Sequence, residues 1–123
     1  NGHPLEIFTD VVAGLSPLPA RDLGQHIGKE VTLLGWMVTE KVVSTKKGEP
    51  MEFVTFEDQT SLYDATLFPG TYRQYSHLLA SNQAYLVTGV VEEHFATVTV
   101  TVTQLRPLSV SDTEEAMLLE EDG

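Results

Sequence analysis

Residues 61–93 read SLYDATLFPGTYRQYSHLLASNQAYLVTGVVEE, and this stretch changes character twice. It opens with the β-prone SLYDATLF (61–68) and closes with AYLVTGVVEE (84–93), a strand pattern carrying an internal glycine. Between them, PGTYRQYSHLLAS (69–81) sets Pro69 at an early helical position, with Tyr72, Tyr75, Leu78 and Leu79 recurring at helical spacing. The spacing predicts one helix between two strands. Working outward, VTLLGWMVTEKVV (31–43) is a long β-rich run broken by Gly35, where a bulge or sharp bend is expected. PMEFVTFED (50–58) follows a turn containing Lys47 and Gly48, and EDQT then makes a tight connection. TVTVTVT (97–103) alternates strictly, putting Val98, Val100 and Val102 on one face and threonines on the other.

The order is therefore β-β-β-α-β-β. A long bent first strand, with a helix between the third and fourth, specifies an all-β fold with a capping helix: a five-stranded OB-fold Greek-key barrel. Another small barrel or a sandwich is the alternative, and the single well-placed helix disfavours both. Residues 29–107 form the expected barrel. Residues 1–28 are a lead-in with two short helical candidates, LEIFTDVVAG and ARDLGQHIG, separated by LSPLP. Residues 108–123 read as an acidic tail or linker, in which SDTE (111–114) has the form of a capping box.

Composition narrows the function classes. The chain of 123 residues has no cysteine, which excludes disulfides and thiolate metal sites and fits a reducing, cytoplasmic setting. No run of about 18 apolar residues is present, so no membrane helix is expected. The net charge of −11 argues against a free-standing, high-affinity DNA binder. Six of the eighteen acids lie within residues 112–122, however, leaving the rest only mildly acidic. Glu57 and Asp58 are neighbours in a strand and point to opposite faces, so they cannot jointly hold two metal ions. His3, His26, His77 and His94 fall in four different elements without ligand spacing. No catalytic residues, metal site or cofactor is expected.

Against this background the basic residues are unevenly placed. Three of the seven, Lys41, Lys46 and Lys47, cluster at the junction of the first two strands, just before Phe53 and Phe56. In an OB barrel, ligands lie across the second and third strands, flanked by the loops joining strands one to two and four to five. Those loops are VSTKKGE and EEHFAT. Alternation, with Glu52 set aside, places Val54 and Phe56 in the core and Met51, Phe53 and Thr55 outside, leaving Phe53 free to stack on a base. The expected nucleic-acid-binding set is Lys41, Lys46 and Lys47 on phosphates, Phe53 stacking, and His94 or Phe95 closing the groove. Thr55 and Tyr63 add polar contacts if they face the same side. Ordinary structural roles compete with each: a Lys-Lys-Gly turn is often a solvated hairpin tip, a bulge would move Phe53 inward, and Trp36 is more readily packing than contact.

VTLLGWMVTEKVVSTKKGEPMEFVTFEDQTSLYDATLFPGTY resembles the OB domain in the C-terminal part of the alpha subunit of bacterial DNA polymerase III. The matching elements, in order, are Gly35, the Thr45-Lys46-Lys47-Gly48 turn, Met51 through Asp58, and Phe68-Pro69. GHPLE (2–6) is similar to the segment that follows that family's tandem helix-hairpin-helix region, and the resemblance extends over residues 2–105. Anticodon-binding domains of class II aminoacyl-tRNA synthetases share a similar second strand, and there the phenylalanine matching Phe53 stacks on an anticodon base. The resemblance implies a non-enzymatic fragment of a bacterial DNA-directed DNA polymerase. That fragment would guide single-stranded template during replication or dock other polymerase domains and replisome subunits. The chain departs from the pattern in charge: Glu40, Glu49, Glu52, Glu92 and Glu93 surround the expected groove.

Overall fold

The computed structural model describes residues 17–80 and 83–108. The candidate helix at 5–14 and the SDTE box lie outside them. A 3-10 helix, Ala20–Gln25, leads into five strands: β1 (Glu30–Ser44), β2 (Pro50–Glu57), β3 (Leu62–Leu67), β4 (Ala84–His94) and β5 (Thr97–Leu108). Helix α1 (Pro69–Tyr75), extended by a 3-10 turn at Ser76–Leu78, joins β3 to β4. The strands close into a barrel in the order β1-β2-β3-β5-β4, the OB-fold arrangement expected from the sequence. No helix among the described residues is long and apolar enough to cross a membrane.

Closure depends on β1, which spans 15 residues and serves two partners. Its first half pairs with β4 and its second half with β2, and Trp36 stands at the changeover, opposite both Ala84 and Glu57. The ladder runs unbroken through Gly35, which is not the bulge the sequence suggests; the register shift falls between Met37 and Thr39. Gly35 is needed for a different reason. A Cβ there would lie 2.6 Å from the Tyr63 hydroxyl and 2.9 Å from Cδ1 of Phe56, so the missing side chain is the space those two rings occupy. At Gly89 the register does shift, and an added Cβ would collide with the Thr101 carbonyl.

The interior follows period 2. Leu33, Val54, Phe56, Tyr63, Ala65, Leu67, Val87 and Val100 fill it, and Phe56 lies against Tyr63 and Tyr85 with ring centroids 5.6 and 6.0 Å apart. Trp36 does pack, but on the outer wall, against Leu34, Ala84 and Leu108. Helix α1 is shorter than the spacing predicts, giving way after Tyr75 to the 3-10 turn, and Tyr85 ties the end of that turn: its hydroxyl donates to the Leu78 carbonyl and accepts from the Ala80 N–H, each at 2.7 Å. The 3-10 helix is tied down by Asp58, whose Oδ2 accepts from the Ala20 N–H at 2.7 Å. The Oδ1 atom of the same carboxylate accepts from Thr60 and Ser61 and so shapes the β2–β3 turn. Ala20 and Leu23 thereby enter the main core.

Glu52 breaks the apolar pattern. It shares the inward face of β2 with Val54 and Phe56 and is only 2% exposed. Burial, followed by the hydrogen bond and like charge of the Glu40 carboxyl, pushes its pKa up from 4.5 to about 8.

Two outcomes follow from this packing. Gly35→Ala forces a methyl group into the Tyr63–Phe56 contact and should cost about 1–3 kcal/mol of stability by chemical denaturation, the usual range for overpacking a filled core. An unchanged denaturation midpoint would mean that the rings yield without cost. Glu52 holds its proton in the folded state up to about pH 8 but loses it near 4.5 when unfolded. Between those values only the unfolded state releases the proton, so stability should fall as pH rises from about 5 to 8 and then level off. Glu52→Gln should flatten that slope and melt higher than wild type at alkaline pH.

Candidate nucleic-acid interface

The outer faces of β2, β3 and β5 form a shallow groove because antiparallel pairing of β2 with β3 and parallel pairing of β3 with β5 align residues of like parity. Two rows cross it. One runs Lys41, Phe53, Thr66, Thr101; the other runs Thr39, Thr55, Asp64, Thr99, Glu92. The groove holds two adjoining hollows of about 310 and 460 Å³, and Phe53, Thr66 and Thr99 line both. Thr39, Glu40, Lys41, Val54, Thr55 and Asp64 complete the first; Met51, Phe68 and His94 help to complete the second.

Phe53 stands on this outer face at 46% exposure while Phe56 is fully buried, as alternation in β2 predicts. Thr55 shares the face, and its Oγ1 donates to Asp64 Oδ1 at 3.0 Å. Tyr63 does not, which corrects its expected role as a polar contact. It lies opposite Phe56, is 5% exposed, and donates its hydroxyl to the Leu34 carbonyl at 3.0 Å inside the barrel. Burial, with the Asp58 carboxylate nearby, raises the Tyr63 phenol well above its usual range and keeps it a neutral donor. Glu52, set aside in the alternation, also faces inward.

The flanking loops differ in how they meet the groove. Lys46 and Lys47 are exposed at the β1–β2 tip, which is closed by Gly48 N–H to Thr45 O at 2.9 Å and Thr45 N–H to Glu49 O at 2.8 Å, with Gly48 at φ +82°. Arg73 of α1 reaches Glu49 at 3.2 Å and leaves Lys41, Lys46 and Lys47 without ion pairs among the described residues. At the β4–β5 tip, His94 lines the second hollow, whereas Phe95 projects from a two-residue turn and is fully exposed. Phe95 and Ala96 both have positive φ, 52° and 65°, the signature of a type I′ hairpin.

Several groove residues escape the sequence reading. Phe68, 48% exposed, gives the second hollow a second phenyl ring beside Thr66, Thr99 and Thr101, and Asp64 lines the first. Parity within β3 was available as a signal, since Asp64, Thr66 and Phe68 alternate with buried Tyr63, Ala65 and Leu67. The neighbouring β5 threonines were not, because nothing local specifies the parallel pairing. The described residues contain no group of three or more acidic or histidine side chains placed to hold a metal ion.

The family model for the OB-fold nucleic acid binding domain matches residues 31–108. DNA polymerase III subunit alpha of Aquifex aeolicus is 29% identical over 98 residues, covering 79% of this chain. The same subunit of Halalkalibacterium halodurans is 28% identical over 92 residues, covering 75%. The chain spans 8% of the length of each of these relatives. Among solved structures, a deletion variant of the single-stranded DNA binding protein from Thermus aquaticus superimposes with a TM-score of 0.56 at 21% identity, over 65% of this chain and 41% of that one, a likeness of fold. The sequence resemblance to polymerase alpha subunits is thus borne out. The matched segment coincides with the barrel from β1 to β5, and the chain belongs to the family of OB-fold nucleic-acid-binding domains.

Proposed function

We propose that this barrel binds single-stranded DNA in the groove over β2, β3 and β5, and that it guides template strand as part of a bacterial DNA polymerase III alpha subunit in the cytoplasm. The observation that carries the reading is Phe53: an aromatic ring half exposed in the floor of a groove, with Lys41 opposite it on β1. Stacking on such a ring is tolerant of sequence and suits a strand that must move past. Lys41, Lys46 and Lys47 contact phosphates along one edge, with Thr55 on the floor. His94 closes the far end and Phe95 adds a face beyond it. Phe68 supplies a second platform. The barrel performs no chemistry of its own under this reading; nucleotidyl transfer belongs to other domains of the parent enzyme.

A second reading, docking to other polymerase domains or replisome subunits, is favoured by a different observation. Phe95 stands fully exposed on its turn beside Glu92 and Glu93, an apolar knob with acidic neighbours that fits a basic partner surface with an apolar recess. A third, anticodon binding, draws on the second strand, which resembles that of the anticodon-binding domains of class II aminoacyl-tRNA synthetases.

Phe53 and Phe56 separate stacking from packing. Phe53→Ala should lose about 1–3 kcal/mol of affinity for oligo-dT, while its stability stays within about 0.5 kcal/mol of wild type. Phe56→Ala should instead cost about 3–5 kcal/mol of stability. Equal destabilisation by the two, or oligo-dT affinity untouched by Phe53→Ala, would sink the stacking role.

Salt dependence tests the lysines. With about three phosphate contacts the log-log slope on single strands should be near −2, so binding should weaken roughly twenty-fold between about 50 and 200 mM salt. A slope steeper than about −4 would place the main contacts on other cations. Silence at millimolar concentration favours docking.

A further inference from the structure

We propose that Asp64 reads the base lying on Phe53 and favours bases that present hydrogen-bond donors, guanine above the others; this rests on the reading of the groove as a single-strand site. Asp64 is exposed on the outer face of β3, between Thr55 of β2 and Thr99 of β5. No lysine or arginine pairs with it among the described residues, and its one hydrogen bond there is the Thr55 hydroxyl on Oδ1. A carboxylate without a cation in the floor of a nucleic-acid groove repels phosphates. Lys41 is the cation lining the first hollow, beside Glu40, so a bound strand runs its backbone along the Lys41 edge and turns its bases toward β3.

The register then decides which base meets Asp64. Phe53 is opposite Thr66, and Asp64 is opposite Thr55, so Phe53 and Asp64 are diagonal neighbours on adjacent strands. Such positions lie about 7–8 Å apart, within reach of the far edge of a base stacked on the ring. Both line the hollow of about 310 Å³. Single-stranded bases offer their Watson–Crick edges to such contacts.

The chemistry of those edges sets the preference. A carboxylate only accepts hydrogen bonds. Guanine presents N1–H and N2–H side by side, two donors for two carboxylate oxygens. Cytosine and adenine each present one amino group next to an acceptor nitrogen. Thymine places its single N3–H between two carbonyl oxygens that the carboxylate repels. The expected order is guanine, then cytosine and adenine, then thymine. Thr55 holds the carboxylate in place as a positioning residue.

The test uses the full chain and fluorescence anisotropy with labelled strands of equal length at low salt: oligo-dT, alternating thymine–cytosine and alternating thymine–guanine. The thymine–guanine strand should bind about ten-fold tighter than oligo-dT, within the range that one good bidentate base contact discriminates. Asp64→Asn offers an amide donor in the same shape. It should raise oligo-dT affinity and bring the difference between strands within about two-fold, with an unchanged melting temperature. Asp64→Ser should also collapse the discrimination, which covers the case of a misfolded amide variant. Equal binding of all three strands by wild type, or variants that shift every strand alike, overturns the base assignment and leaves the groove reading standing. No binding to any strand overturns both.

Discussion

The contact on which this molecule turns is the one made possible by an absent side chain. At Gly35 the backbone of β1 lies bare against the ring of Phe56 and the hydroxyl of Tyr63, and that hydroxyl donates to the neighbouring Leu34 carbonyl. One polar bond and two aromatic faces thus fix three strands relative to one another. Shifting β2 by one residue would bring Phe53 inward and turn Phe56 out, because strand side chains alternate. The outer face of β2 is therefore specified by what its inner face must fill. Phe53, Thr55, Asp64 and Thr66 share a groove because Phe56, Tyr63 and Ala65 share a core.

Charge is arranged on the same frame. The barrel is acidic, yet two of its acids are consumed internally: Asp58 satisfies four donors at the β2–β3 turn and the 3-10 helix, and Glu52 keeps a proton beside Glu40. Glu49 is engaged by Arg73, an exposed pair that contributes little stability but shields the acid next to the lysine turn. What remains is a groove with Lys41 and Glu40 on one edge, Asp64 in its floor, and Glu92 toward the other edge. Under the proposed reading, that asymmetry would face a strand's backbone toward β1 and its bases toward β5. It is a stronger constraint than a uniformly basic groove would impose.

Most of the fold was legible in the sequence because it depends on local period: alternation in the TVTVTVT run, a helical spacing after Pro69, and a long first strand. The side of Phe53 was legible for the same reason. Tyr63 falls inside because it shares its face of β3 with Ala65 and Leu67 and lies opposite Phe56 rather than Thr55. A phenol that hydrogen-bonds inside a barrel looks, in sequence, like one that waits for a ligand. Gly35 was credited with a bulge when its role is close approach, and the bulge fell at Val38, a residue with no local mark. The β5 threonines reach the site only through the parallel β3–β5 pairing, a long-range choice that leaves no trace in either strand.

Both ends of the groove are preformed by backbone hydrogen bonds. The β4–β5 ladder continues to the His94–Thr97 pair, so His94 is fixed by backbone pairing rather than carried on a loose loop. The turn beyond it places Phe95 and Ala96 in the left-handed region, where an L-residue costs about 1–2 kcal/mol. The ladder from Gly89 to His94, paired in register with β5, offsets that strain. At the other end, Thr45 closes the β1–β2 turn through its N–H, carbonyl and side chain, with Glu49 and Gly48 as partners. With little of the protein left to order, the entropy of binding falls mainly on the nucleic acid. Under the proposed single-strand reading, affinity would rest on few contacts per nucleotide, made to a groove whose two ends are already set by these turns.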